Sequence, residues 1–459
     1  MSTFFTQPTA APNTRLYRGI WRWHFYSGLI VAPFLIMLAI TGMLMIWFTS
    51  IAPEYGERIV LPKGNALNIS KQSDAALAKY PTGKVGQYIA PYTDENPAIF
   101  RVNLPNGNRM LAVDPNTGAI VSDRLQDGTW NSFVTRIHGK LLFGDIGDVL
   151  IEVAASLGVI SLVTGLYLWW PRSVPLPKLL VPQFALKGRA FWKSLHETSG
   201  LWISAALLFF LLSGLAWTPV WGGKMVQAWS TFPAEKWDNV PVSNVDHASM
   251  NHSAKKEVPW ALEQTLLPES GSTAGVNGLP NDVPVVLETI VALGRAKGLQ
   301  GRFQVNVPAD DKAVWTISQD SQSYDSNTPT TDRTIHIDQY TGKILAEVGF
   351  NNYSLAGKTM AVGIALHEGQ LGLWNIALNI AFCLMVLMVA ASGIVMWWKR
   401  KPSGQMAAPL YPKGFEVPYG VFGLGAVLAI AFPMGGLAIL IFALIDLALP
   451  SRWKEARAS

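Results

Sequence analysis

The chain holds seven histidines in 459 residues, and two of them open the same phrase: His24 begins His-Phe-Tyr-Ser-Gly-Leu and His196 begins His-Glu-Thr-Ser-Gly-Leu. Each stands where an apolar run starts. His138 and His367 precede two further apolar runs, so each of four runs has one imidazole at its mouth. At such a position a histidine is an interfacial amphipath or a metal ligand. Glycines repeat with them: His24, Gly28 and Gly42 are spaced by 4 and 14, and His196, Gly200 and Gly214 repeat both intervals. Eighteen residues at about 100° each close five helical turns, so each histidine and its two glycines share a stripe. Such a stripe admits another helix, or a flat ligand, close to the backbone. His138 likewise precedes Gly165 and Trp169-Trp170, and His367 precedes Gly393 and Trp397-Trp398, one residue shorter.

The elements that must carry these side chains are membrane spans. The composition is 50% hydrophobic and 15% charged with 18 Trp, too apolar for ordinary soluble domains. Crossing a hydrocarbon core of about 30 Å takes about 20 apolar residues, and the runs 28–49, 149–170, 199–220 and 374–398 qualify. A fifth stretch, 417–449, is broken by Pro-Met-Gly-Gly at 433–436 and is expected to form a hairpin of two helices. Basic residues mark the cytoplasmic side. They crowd residues 1–23, 172–193 and 399–416, whereas 50–136 has nine basic and eight acidic residues and 221–360 has eleven and fifteen. The expected order is therefore a cytoplasmic N-terminus (1–23), span one (24–49), an outer segment (50–136) and span two with its lead-in (137–171). A cytoplasmic loop (172–193), span three (194–220), a second outer segment (221–360) and span four with its lead-in (361–398) follow. A cytoplasmic loop (399–416), the hairpin as spans five and six (417–449) and a cytoplasmic tail (450–459) complete it. Span one reads as an uncleaved anchor, without a small-residue cleavage site.

The outer segments repeat as well. Val-Asp-Pro-Asn-Thr-Gly-Ala-Ile at 113–120 parallels Ile-Asp-Gln-Tyr-Thr-Gly-Lys-Ile at 337–344, each a strand, a turn with left-handed glycine, and a strand. Helical stretches precede them at 71–80 and 285–298. Each outer segment is expected to be a small α+β domain, and the chain to be helix, domain, helix, twice.

By this topology His24 and His196 pair near the cytoplasmic face and His138 and His367 near the outer face. Two imidazoles from facing helices and an apolar slot are what a b-type haem requires, and cations beside each pair, Arg22 and Lys193 within and Arg136 and Lys140 without, suit the propionates. Copper or a structural role are the alternatives at this point. The single cysteine, Cys383, excludes an internal disulfide and a multi-cysteine metal site. No Rossmann fingerprint or P-loop stands at a strand–helix junction, and nothing suggests a nucleic-acid partner. An electron donor would be a cytoplasmic flavoprotein or membrane quinol.

The paired outer segments, Asp-Pro-Asn-Thr-Gly-Ala-Ile, the Trp-Trp-Pro-Arg and Trp-Trp-Lys-Arg span ends, and the two His-x-x-Ser-Gly-Leu phrases resemble the PepSY-associated transmembrane family over about residues 14 to 400. Val-Pro-Trp-Ala-Leu-Glu-Gln-Thr at 258–265 is similar to it too. The resemblance implies two periplasmic PepSY-like domains on a four-helix haem-binding core. Members of that family include bacterial inner-membrane reductases that release iron from siderophores through two haems. It carries over His24, His138, His196 and His367 as ligands of two b-type haems, outward electron flow and a ferric siderophore as acceptor.

Other constellations stand beside this reading. Asp145, Asp148 and Glu152 share a helix face, as a proton path or as caps paired with Lys140. Asp246, His247, Met250 and His252 lie in a polar stretch, with imidazole and thioether suited to copper; residues 265–284 read as a linker and His336 as structural. Besides a di-haem oxidoreductase in the bilayer, the sequence admits a membrane-anchored protein that binds or restrains a periplasmic peptidase, or a copper-handling membrane protein.

Overall fold

The computed structural model describes residues 14–170, 179–237, 239–251, 257–400 and 419–448. In chain order the elements are α1 (Thr14–Ile46), α2 (Ile69–Lys79), β1 (Lys84–Ile89), β2 (Ala98–Asn103), β3 (Arg109–Val113) and β4 (Ile120–Leu125), then α3 (Trp130–Lys140), α4 (Asp145–Trp169) and α5 (Gly188–Leu215). There follow β5 (Val242–Asp246), β6 (Leu266–Pro268), α6 (Leu287–Ala296), β7 (Gln304–Asn306), β8 (Trp315–Gln319), β9 (Arg333–Ile337) and β10 (Ile344–Gly349), and finally α7 (Leu355–Glu368), α8 (Leu373–Trp398), α9 (Tyr419–Ala431) and α10 (Pro433–Ala448). Two compact units result: Met1–Ile40 with Gly139–Met225 and Ile380–Ser459, and Thr41–His138 with Val226–Asn379.

Four helices among the described residues are long and apolar enough to cross a membrane: Arg15–Ile51, Asp145–Trp169, Gly188–Leu215 and Leu373–Trp398. The first unit is helical. Its α9 and α10 break at Pro433, as the Pro-Met-Gly-Gly signal requires. At 1.5 Å per residue their 13 and 16 described residues cover about 20 and 24 Å. They pack on the other helices of this unit. A side chain at Gly435 would meet Ser156 Cβ of α4 at 2.8 Å, and one at Gly425 would collide with Trp23. Of the glycines in Gly-Val-Phe-Gly-Leu-Gly, Gly425 therefore serves packing, while a Cβ at Gly423 would meet nothing within 4 Å.

The second unit is built on one eight-stranded sheet, in the order β10-β9-β8-β7-β1-β2-β3-β4. Two separate domains were the expectation. Each outer segment does supply four antiparallel strands, but β1 and β7 join the halves edge to edge, pairing Gln87 with Asn306, Tyr88 with Val305 and Ile89 with Gln304. Joining hides two strand edges that would otherwise stay unpaired. One face packs under α2 and α6 in a continuous apolar core that includes Phe100, Leu111, Ile290, Phe303, Ile317 and Ile335. The other face is mixed and also covered: Ile89, Ile99, Met110 and Ala112 form a smaller apolar cluster, Gln87 Nε2 donates to Gln304 Oε1 at 2.7 Å across the seam, and Arg101 is buried beside it.

The repeated Asp-x-x-Thr-Gly phrases are turns held by their aspartates. Asp114 accepts from Asn116 N and Thr117 Oγ1 at 2.9 and 2.7 Å, and Asp338 accepts from Tyr340 N and Thr341 N at 2.9 and 2.8 Å. Gly118 and Gly342 follow with φ of 76° and 67°, which glycine alone adopts freely. Residues 265–284 do not form a bare linker. They contribute β6 and a bridge from Val276 to Ile344.

Candidate functional site

In the first unit α1 pairs with α4 and α5 with α8 through their histidines. His24 Nδ1 donates to Ser161 O at 2.9 Å and lies 3.3 Å from Thr164 Oγ1. His196 Nδ1 donates to Val389 O at 3.0 Å and lies 3.1 Å from Ser392 Oγ. Both hydroxyls spend their own proton on their helix, Thr164 on Ile160 O and Ser392 on Val389 O, so both are left to accept. A carbonyl can only accept, which fixes the proton on Nδ1 and leaves the Nε2 lone pair of each ring for another partner. That is how a metal-binding histidine is set.

The two rings stand 6.3 Å apart between centroids, at 74° to one another. A metal held by two imidazoles at about 2 Å each, with ring centroids about 1.1 Å behind their nitrogens, separates the centroids by roughly 6.2 Å. The separation matches that of two imidazoles sharing one metal ion. Glycine then makes room. A Cβ at Gly165 would meet His24 Cε1 at 2.9 Å and one at Gly393 would meet His196 Cε1 at 3.4 Å, while Cβ atoms at Gly28 and Gly200 would meet nothing within 4 Å. One turn from each imidazole, at Gly28 and Gly200, a side chain would therefore have open space.

The second unit holds the other two candidate ligands, His138 and His367. His138, on α3, shares a 2.8 Å hydrogen bond between Nδ1 and Thr41 Oγ1. Gly42 lies beside its ring, where a Cβ would stand 3.7 Å from His138 Cε1. His367, on α7, is within electrostatic reach of His138. Asn379 Nδ2 donates to His367 O at 2.9 Å and fixes the end of that helix. Sequence reading passed over the hydroxyls. Thr41-Gly42, Thr164-Gly165, Ser213-Gly214 and Ser392-Gly393 are four hydroxyl–glycine dipeptides, and a comparison of the repeats extended by one residue would have found them.

The cations are less convergent. Arg22 Nη2 donates to Tyr26 Oη at 3.3 Å, Lys193 pairs with Glu197 at 3.1 Å, and Lys140 reaches Asp145 at 3.6 Å and Asp148 at 4.0 Å. Arg136 is exposed and has no ion pair among the described residues. Lys140 with Asp145 and Asp148 is the capping arrangement rather than a proton path. Glu152, fully buried, accepts from Val220 N and Trp221 N at 3.0 and 2.9 Å, which ties α4 to the chain following α5.

The stretch around His247 is no solvated linker. His247 is fully buried in a single turn, His247–Met250, and its ring bonds His336 of β9; His252 lies outside the described residues. The segment 320–325, silent in the sequence, is largely buried too. Asp320 lies in it and Asp332 beside it: Ser323 N donates to Asp320 Oδ1 at 2.7 Å and Ser321 N to Asp332 Oδ1 at 2.9 Å. Burial pushes both carboxyls up, Asp332 to about 7.

Four long apolar helices, two of them carrying an imidazole bonded to a neighbouring helix, together with an antiparallel sheet, define a polytopic helical membrane protein with a folded α+β portion. The family model for the PepSY-associated TM region matches residues 21–400, and the chain belongs to that family. No curated protein matches it.

Proposed function

We propose that the chain is a di-haem b-type cytochrome of the bacterial inner membrane that passes electrons outward to reduce iron(III) in a siderophore. The observation that carries this reading is the His24–His196 pair: two imidazoles 6.3 Å apart, each with Nδ1 tied to a carbonyl of a neighbouring helix and Nε2 directed elsewhere. His138 and His367 would be the second pair. The haems, when bound, supply one-electron chemistry that no side chain of this chain performs.

The protein's own contribution is positional. Ser161 O and Val389 O would orient the ligand rings, Gly165 and Gly393 give the rings space, and the open space at Gly28 and Gly200 would admit a flat macrocycle. Arg22 and Lys193 would hold propionates on one side, Arg136 and Lys140 on the other. Family resemblance supports the outward direction and the acceptor. Siderophore oxygens hold iron(II) less firmly than iron(III), so a one-electron reduction releases it. A cytoplasmic flavoprotein or membrane quinol is the donor on this reading, and the termini are cytoplasmic.

The test is the visible spectrum of the detergent-purified chain, oxidised and dithionite-reduced, with haem quantified. A sharp reduced α-band with about two haems per chain is expected, falling to about one in His24→Ala, His196→Ala, His138→Ala and His367→Ala. A folded sample made with ample haem and carrying none would sink the reading.

A further inference from the structure

One buried histidine pair lies outside that machinery. His247 Nε2 and His336 Nε2 stand 2.9 Å apart, both residues fully buried. His247 Nδ1 donates to Thr265 O at 2.6 Å, so its Nε2 carries a lone pair. His336 Nδ1 lies 3.0 Å from Thr316 Oγ1, a hydroxyl that accepts as readily as it donates. With its proton on Nδ1, His336 would present a second lone pair to the same point, and both rings would have the oxygen partner behind them that metal-binding imidazoles have.

The surroundings add a soft donor and an aromatic face. Met250, one turn on from His247, lines with it a small cavity of about 10 Å³, together with Glu257, Asn306, Thr316 and Thr334, and Asn306 Nδ2 lies 3.9 Å from its Sδ. Thr334 Oγ1 and Asn306 Oδ1 are buried there without a hydrogen-bond partner. Trp237 lies near both imidazoles, with centroids 6.0 Å from His247 and 5.9 Å from His336. Among the described residues no three His, Cys, Asp or Glu side chains gather around a metal position. An ion here would have two imidazoles, a thioether and a neighbouring indole, with Glu257 the carboxylate that lines the cavity.

We propose that His247, His336 and Met250, under Trp237, form a buried site for monovalent copper. Low coordination number and thioether ligation suit that ion among those common in cells, and an indole face attracts a cation lacking a full ligand shell. With metal–nitrogen bonds of about 2 Å the two Nε2 atoms open by at most about 1 Å, into the cavity beside them. The proton of His336 moves from Nε2 to Nδ1, so binding releases no net proton.

The experiment is an anaerobic titration of the full-length, detergent-purified chain with copper(I) against a chromophoric chelator, with thermal unfolding recorded on each variant. One tightly held copper(I) per chain is expected, lost in His247→Gln and in His336→Gln and weakened at least tenfold in Met250→Leu, which keeps the packing volume. His252→Ala should leave it unchanged. Absence of tight binding in the wild type overturns the proposal, as does binding that survives His336→Gln in a folded protein or that disappears with His252→Ala alone.

Discussion

Thr164 and Ser392 illustrate how much a single hydroxyl decides. Each accepts from the Nδ1 side of a half-buried imidazole after giving its own proton to its helix. Partners of this kind are worth about 10- to 100-fold in metal affinity. On the proposed di-haem function, Thr164→Val, which keeps the shape and removes the acceptor, should lower haem retention on dilution by about tenfold, and Thr164→Ser should restore it; equal retention in all three would refute the role. Charge acts at Asp332 in a different way. Burial holds its carboxyl up at about 7 against an ordinary 3.8. An acid raised in the folded state contributes stability that is complete below its unfolded value and lost as pH rises through the folded one. His247 has the opposite sign: burial lowers it from 6.5 to about 4, so its contribution is complete above the unfolded value and lost as pH falls toward 4. The two partly cancel between those limits, and a variant separates them. Asp332→Asn should gain thermal stability over the wild type as pH rises from about 5 to about 8, measured by scanning fluorimetry; a difference that stays flat with pH would show that Asp332 is already ionised in the fold.

Helices and turns were legible where periodicity and punctuation speak plainly. The four spans, the helices before each hairpin, the left-handed glycines of the Asp-x-x-Thr-Gly turns and the break at Pro433 all follow from local patterns. What escaped was set by partners distant in the chain. The joining of β1 to β7 leaves no local mark, because Gln87 and Gln304 read as surface residues until each becomes the other's hydrogen-bond partner. His247 reads as part of a polar tract until β9 brings His336 to it, 89 residues away. Glu152 is the same lesson inside a span: an intramembrane carboxylate suggests proton traffic, yet its oxygens are taken by Val220 N and Trp221 N. Replacing it tests that clasp. Glu152→Ala strands two donors at about 1–3 kcal/mol each and should lower the melting temperature clearly, while Glu152→Gln, which keeps one acceptor oxygen, should lose about half as much. A Gln variant as damaged as the Ala one would point to the charge rather than to the two hydrogen bonds.

The duplicated plan, helix, strands, helix, places a histidine pair in each of the two compact units, and the proposed function needs both pairs in one chain. Each pair alone could bind a haem; only the two in series could carry an electron from a donor on one side of a bilayer to an acceptor on the other. Proteoliposomes separate these cases. With a reductant enclosed and a ferric hydroxamate chelate outside, iron(II) should form at a rate proportional to intact chains, and trapping it with an impermeant ferrous indicator reads that rate. His367→Ala, which removes a ligand from the second unit, should leave the His24–His196 site reducible by the enclosed donor, seen as an unchanged α-band for that site, yet abolish iron(II) production. His24→Ala should do the reverse, blocking reduction from within while dithionite added outside still reduces the remaining site. If either variant sustains the wild-type rate of iron reduction, electrons do not pass through the two pairs in series, and the chain's second histidine pair must serve something other than transmembrane transfer.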